Sequence, residues 1–215
     1  MIDNIFPKLH KEGYKFLAIS IIITFIVWIF SNFLATIMLL ITIWVYYFFR
    51  DPERIAINDN SFLVSPADGL ITDISEINGP EELNLENKKY TRISIFMNVF
   101  NCHVNRTPLA GTVEDINYKP GKFINASLDK ASEENERNYY KIKLNNGEEI
   151  IIVQIAGLIA RRIVCEVEQG QNLKQGERIG MIRFGSRVDI YFKNKKVLAK
   201  LGQNVVAGES LLASE

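Results

Sequence analysis

Histidine and cysteine are scarce in this chain, with two of each among 215 residues, and neither sign of charge prevails. Cys102 and Cys165 are too few for a disulfide framework and fit a reducing compartment, although one pair could form outside it. With only His10 and His103 available, a histidine-rich metal site is disfavoured and no metal is expected. Lys+Arg and Asp+Glu both number 25, so the basic excess of a nucleic-acid binder is missing and no nucleic-acid partner is expected. The length suits one good-sized domain with an appendage, not several domains.

What the chain does have, first, is a long uncharged run. From Phe16 to Phe49 there are 34 residues without Asp, Glu, Lys or Arg. A run of about 18 or more such residues reads as membrane-embedded. It is too long for a signal peptide and lacks a small-residue cleavage site. As one straight helix it would measure about 51 Å at 1.5 Å per residue, against a hydrocarbon core of about 30 Å. Ser31-Asn32, near its middle, marks a turn. Lys8, Lys11 and Lys15 precede the run and Arg50 and Arg54 follow it, which places both flanks on the cytoplasmic side of the membrane. The expectation is an N-terminal hydrophobic helical hairpin over residues 1–50 that dips into the bilayer. Each arm is short for a full crossing, so the hairpin is re-entrant or two short spans. His10 and its basic neighbours are expected at the level of the lipid headgroups.

The composition changes at Arg50-Asp51-Pro52. Beyond it come short alternating runs bounded by turn residues. In one, Arg92, Ser94 and Phe96 face one way and Ile93, Ile95 and Met97 the other; in another, Val188, Ile190 and Phe192 alternate with Arg187, Asp189 and Tyr191. Asn145-Asn146-Gly147 between two such runs signals a hairpin. Residues 51–215 therefore read as a mostly-β domain, a sandwich or partly closed barrel. Three segments that repeat an apolar strand, a Gly turn and an apolar strand give it a resemblance to barrel-sandwich hybrids of the biotinyl and lipoyl type. The polar, acidic stretch from Ala131 to Arg137 reads as a loop or short helix without assigned function.

Within this domain, Ile182-Arg183-Phe184-Gly185-Ser186-Arg187-Val188-Asp189 contains the chain's single Gly-Ser pair. Taken alone, such a pair is a turn before a strand. Three further segments precede it: Ser65-Pro66-Ala67-Asp68-Gly69; the run from Phe96 to Pro108, with Asn101-Cys102-His103-Val104-Asn105-Arg106 at its centre; and Gln154-Ile155-Ala156-Gly157-Leu158-Ile159-Ala160-Arg161-Arg162-Ile163. In this order the four resemble the phosphatidylserine decarboxylase proenzymes, and most of all their short bacterial and archaeal-type branch. The resemblance spans nearly all of residues 51–215 and extends to the hydrophobic N-terminus.

The resemblance implies self-cleavage between Gly185 and Ser186 into a β chain, residues 1–185, and an α chain, residues 186–215, which remain together as a heterodimer. Ser186 would become a pyruvoyl group that forms a Schiff base with phosphatidylserine and acts as electron sink for its decarboxylation to phosphatidylethanolamine. No bound organic cofactor is then needed. Chemistry on the residues agrees. A serine hydroxyl can attack its own preceding carbonyl, and glycine before it leaves that carbonyl open and tolerates strain.

His103 is the acid/base candidate, since its pKa can sit near neutrality and it is the histidine outside the membrane-proximal tail. It is expected at a rim, after a strand and before a Pro-containing loop. Longer family members carry two histidines three apart at this place; here the second is Arg106. Either His103 serves both self-cleavage and decarboxylation, or Arg106 takes an electrostatic role. Asp68 matches the family's carboxylate and would orient the histidine, giving an Asp–His–Ser arrangement. Arg106, Arg161, Arg162 and Arg187 are candidates for the phosphate and carboxylate of the lipid headgroup. Asp189 either orients the loop around Ser186 or pairs with a neighbouring base. Cys102 is not paired with His103 in this reading, since adjacent strand residues face opposite ways. Two rivals remain open: a pyruvoyl decarboxylase acting on a soluble amino acid, which gives the anchor no purpose, or on phosphatidylserine-like anionic lipids; and a non-enzymatic membrane-tethered adaptor, which would stay one intact chain. The expected location is the cytoplasmic face of the cell membrane, against the lipid surface.

Overall fold

The computed structural model describes residues 7–124, 126, 134–158, 162–183 and 185–215. The chain separates into two compact units, Met1–Glu53 and Arg54–Glu215.

The first unit is a pair of apolar helices, α1 (Gly13–Phe30) and α2 (Asn32–Phe48). The turn falls where the sequence predicts it. Ser31 leaves the helical region with φ −158° and ψ 118°, and its Oγ accepts from the Leu34 amide at 3.4 Å, capping α2. At 18 residues α1 is about 27 Å long, enough for a hydrocarbon core; α2 is shorter by one residue. Large apolar side chains such as Ile22, Phe25, Trp28, Phe33 and Leu40 are exposed along both arms. Between the arms the hydroxyls of Ser20 and Thr42 lie 2.5 Å apart, and Thr24 joins them at 2.9 Å from Thr42. Small hydroxylated residues let two helix backbones approach and hydrogen-bond without lipid-facing polar groups. The open end is stitched by backbone bonds from His10 to the Phe49 carbonyl, 2.8 Å, and from Asp51 to the Lys8 carbonyl, 2.7 Å. His10 is thereby buried within this unit, while Lys8 and Lys11 are exposed.

The second unit is mostly β. Among the described residues its strands are β1 (Phe62–Val64), β2 (Gly69–Asn78), β3 (Lys89–Met97), β4 (Val104–Arg106), β5 (Gly111–Lys119), β6 (Arg137–Lys143), β7 (Glu149–Ala156), β8 (Ile163–Cys165), β9 (Asn172–Leu173), β10 (Arg178–Ile182), β11 (Ser186–Phe192), β12 (Lys196–Val197), β13 (Asn204–Val205) and β14 (Leu211–Ser214). An eight-stranded antiparallel sheet, in the order β13-β2-β3-β11-β7-β6-β5-β9, curls into half a barrel. Two three-stranded sheets, β4-β10-β8 and β1-β14-β12, complete the unit.

Local chemistry explains the central strands. The expected hairpin joins β6 to β7, and Gly147, at φ +84°, takes the left-handed position that its turn requires. Ile93, Ile95 and Met97 of β3, Ile150 and Ile152 of β7, and Val188, Ile190 and Phe192 of β11 enter one large core. The alternation read from the sequence thus sets which side chains meet. The opposite face is covered as well. Tyr90, Tyr139, Ile151, Val153, Ile155 and Tyr191 form a second, smaller core with Leu83 and Leu85. Of the stretch from Ala131 to Arg137, residues 131–133 lie outside the described residues, the Asn135 side-chain amide donates to the Ile124 and Ala156 carbonyls, and Arg137 opens β6.

Candidate active site

Strand register gathers the sequence motifs at one end of the large sheet. Ser186, the first residue of β11, lies opposite Met97 of β3 on one side and Ala156 of β7 on the other. One row further in, Leu70 of β2 faces Phe96, which faces Arg187. The Ser65–Gly69 turn therefore enters β2 beside the end of β3, next to the strand that begins with Ser186. A bond of 2.9 Å from the Arg106 amide to the Pro66 carbonyl fastens that turn to β4. On the other flank, the Ile182 amide donates to the His103 carbonyl at 3.3 Å, which ties the residues before Gly185 to the histidine segment. The four motifs, far apart in sequence, are brought together by antiparallel pairing.

Ser186 is fully buried, and its Oγ makes no hydrogen bond to any described residue. A buried hydroxyl left unmatched costs about 1–3 kcal/mol. Gly185 before it sits at φ +54°, the left-handed region that residues with a Cβ enter at a cost. The residue two before Ser186, Phe184, lies outside the described residues.

His103 does not lie at an exposed rim as expected. It is fully buried, directly before β4, with its Nδ1 3.0 Å from the Asn101 carbonyl. In the segment between β3 and β4, the Asn98 amide donates to Asn101 Oδ1 and the Phe100 amide to Asn98 Oδ1, both at 2.8 Å, and Cys102, next to His103 in the chain, is buried. Asp68 is also buried. Its Oδ1 accepts from the Ala207 amide and its Oδ2 from the Arg54 guanidinium, both at 2.8 Å. The Arg54 partnership was not read from the sequence, where that residue counted only as a basic flank of the hydrophobic run. A basic residue close before a Pro-Ala-Asp-Gly turn was the available signal.

The arginine candidates separate. Arg106 is buried and donates to the Gly176 carbonyl at 2.9 Å. Arg187 is buried on the face of β11 opposite the Ser186 side chain and forms a two-pronged pair with Asp189, 2.8 and 2.9 Å. That pairing with a neighbouring base is one of the two roles expected for Asp189. Arg162 is exposed, and Arg161 lies outside the described residues. A further group went unnoticed in the sequence. On the Ser186 face, Tyr140 donates to Gln154 at 2.7 Å and Gln154 donates to Asn105 at 2.8 Å, all three fully or nearly fully buried. Gln154 and Asn105 each sit inside one of the singled-out motifs. Burial, first of all, pushes the Tyr140 hydroxyl far above its ordinary pKa, so it is a permanent donor. No group of three or more His, Cys, Asp or Glu able to hold a metal occurs among the described residues.

Comparison with known proteins agrees with the motif reading. The phosphatidylserine decarboxylase family model matches residues 41–213. The chain is 66% identical to a phosphatidylserine decarboxylase proenzyme of Pelagibacter ubique across the whole length of both. It is 50% identical to that of Ruegeria pomeroyi, over 99% of this chain and 98% of the relative, and 46% identical to that of Rickettsia akari, over 98% and 92%. The buried serine behind a left-handed glycine, the enclosed histidine and carboxylate, and these matches along the full length belong together: the chain is a member of the phosphatidylserine decarboxylase family.

Proposed function

We propose that this chain cleaves its own backbone between Gly185 and Ser186 and then decarboxylates phosphatidylserine to phosphatidylethanolamine. The observation that carries the reading is the Ser186 hydroxyl, sealed from solvent, unmatched among the described residues and adjacent to a peptide bond whose glycine adopts a left-handed conformation. A fold spends an unmatched buried donor where chemistry needs it.

In this reading Ser186 Oγ attacks the Gly185 carbonyl carbon. The C–N bond breaks as the C–O bond forms, and the freed nitrogen takes up a proton. His103 is assigned the transfer of that proton, with Asp68 as the charge that steadies the histidine side of the site. Removal of the Ser186 α-proton then breaks its Cβ–Oγ bond and releases residues 1–185 with a terminal carboxylate. Water converts the remaining dehydroalanine to a ketone with loss of ammonia. The pyruvoyl group so produced supplies the electron sink for loss of carbon dioxide from an amino-acid headgroup. The residues fit such a group, because it would replace the serine at a position already enclosed and dry.

The remaining roles follow from position. Arg162, exposed beside the motif that ends β7, is assigned to the anionic headgroup. Arg106 and Arg187 are assigned to holding the scaffold, since their guanidiniums are engaged within it. The apolar hairpin supports a lipid substrate and a position on the cytoplasmic face of the cell membrane, tethering the enzyme where that substrate is concentrated.

Intact mass and gel electrophoresis of purified protein test the reading. The wild type is expected as two chains, 1–185 and 186–215, the second with a blocked N-terminus. Ser186→Ala is expected as one uncut chain without activity. Assays against phosphatidylserine, serine and aspartate should show turnover of the lipid alone. A single, fully active wild-type chain with an unmodified serine would overturn the proposal.

A further inference from the structure

We propose that Gly157 is a positioning residue for the self-cleavage, present because only a residue without a side chain lets the Gly185 carbonyl lie against its α-carbon. The inference rests on the cleavage reading given above. Gly157 follows directly on Ala156, the β7 partner of Ser186, so it flanks the peptide to be cut. A Cβ built on Gly157 would overlap the Gly185 carbonyl oxygen, stand 2.9 Å from the carbonyl carbon and 3.3 Å from the Ala126 methyl. The obstacle is backbone, which cannot swing aside as the end of a long side chain can.

The two glycines are required for different reasons. Gly185 needs conformational freedom: it sits at φ +54°, and a Cβ there would meet nothing within 4 Å. Gly157 needs empty space, for it is not among the glycines with positive φ. Since the carbonyl carbon is the atom that Ser186 Oγ must reach, a methyl at position 157 displaces the electrophile from its attack geometry. Reacting atoms must lie about 3–3.5 Å apart and aligned, and a misplacement of about 1 Å costs on the order of 100-fold in rate. The requirement belongs to the precursor, because cleavage ends the carbonyl's attachment to Ser186.

The test follows conversion of full-length protein, hairpin included, in detergent, by gel and intact mass over time. Gly157→Ala is compared with Gly111→Ala, whose new methyl would meet the Lys143 carbonyl oxygen at 2.6 Å and Ile142 Cγ2 at 2.8 Å, a similar crowding away from the site. Only the folded, monodisperse fraction is scored, with thermal unfolding midpoints measured for both. Hydroxylamine is added to parallel samples. It attacks the Gly185 carbonyl of the ester, leaving a hydroxamate on fragment 1–185 and returning the hydroxyl to Ser186. Gly157→Ala is expected to slow conversion about 100-fold and to yield no hydroxylamine-released fragment, while Gly111→Ala converts as the wild type does.

The proposal falls if Gly157→Ala converts within a few-fold of wild type, or if hydroxylamine releases the fragment from it as from wild type. It also falls if Gly111→Ala is equally blocked, or if Gly157→Ala alone gives no folded fraction, since the contact would then serve the fold. A wild-type chain that itself never yields two fragments overturns the cleavage reading instead, and is recognised before any variant is compared.

Discussion

Along β11, Ser186, Val188, Ile190 and Phe192 enter the larger core, whereas Arg187, Asp189 and Tyr191 enter the smaller core on the opposite face of the same sheet. The first face is aliphatic, broken by an amide and phenol chain and by the Ser186 hydroxyl. The second borders a cavity of 560 Å³ lined by Arg92, Lys119, Arg137, Tyr139, Asp189 and Tyr191. Its charges form ion pairs: Arg92 with Asp73, Arg187 with Asp189, and Lys119 and Arg137 together with the single carboxylate of Glu82. The difference shows how one strand separates two tasks. The Ser186 hydroxyl faces the larger core, enclosed from solvent, while the residue after it is held on the other face by an ion pair. Because side chains alternate, a slip of one residue in β11 would exchange the two environments completely.

The largest expected effect comes from breaking the charged side. Asp189→Ala removes the carboxylate 2.8 Å from a nearly fully buried guanidinium and leaves that charge without its ion-pair contact to Asp189. Breaking a buried pair from one side costs about 3–5 kcal/mol. Urea unfolding of Ser186→Ala, which stays a single chain in the reading above, gives a clean reference for this loss. The combined change Asp189→Val with Arg187→Leu should recover most of it, because it removes both charges. If the single substitution costs less than about 1 kcal/mol, Arg187 is not held by Asp189 and the contrast between the faces loses its basis.

A smaller loss is expected from the uncharged face. Tyr140→Phe deletes one oxygen and takes the 2.7 Å donor from the Gln154 Oε1 atom, while the Ile179 carbonyl, 3.2 Å from the hydroxyl, still accepts from the Glu166 amide at 3.0 Å. Stranding a buried neutral acceptor costs about 1–3 kcal/mol, below the charged case. The same unfolding experiment ranks the two. A Tyr140→Phe loss exceeding that of Asp189→Ala would invert the comparison and make the amide chain the principal polar support of the sheet.

Much of this arrangement could be read from residue order. The Ser31-Asn32 turn, the Asn145–Gly147 hairpin and the inward parity of β3 and β11 all follow from local chemistry that needs no partner to be known. The family motifs were legible for the same reason, being short and contiguous. Parity, however, tells which face a side chain takes, not what covers that face. Arg187 reads from the sequence as a headgroup candidate and Asp189 as a residue that orients the loop or pairs with a neighbouring base; Leu83 and Leu85, about a hundred positions earlier, pack in the core on that face. His103 is expected at a rim, where loops are usually exposed, yet it is fully buried, with its carbonyl bonded to the distant Ile182 amide. Arg54 was counted with the membrane flank because its partner, Asp68, is found only when the chain turns back. Each miss is a long-range contact, which periodicity does not encode.

The smallest effect sharpens the comparison at the edge of the charged face. Glu149 accepts from the Tyr90 hydroxyl at 2.6 Å and from Lys88 and Lys141 at 3.1 and 3.2 Å. Burial alone would raise its pKa, but the hydrogen bonds from Tyr90, Lys88 and Lys141 outweigh that and hold the carboxyl down at about 2, against an ordinary 4.5. A depressed folded-state pKa means the unfolded chain takes up the proton first. The stabilisation is therefore complete above pH 4.5 and is lost as pH falls toward 2. Glu149→Gln keeps the shape but not the charge. At pH 7 it should cost about 1 kcal/mol, the scale of a partly exposed pair. Between pH 4.5 and 2 the urea midpoint of the parent should fall faster than that of the variant, so that their difference shrinks as acid is added. Parallel midpoints across that window would mean that the charged face is held by packing of its aromatic rings, with the ion pairs contributing nothing to its edge.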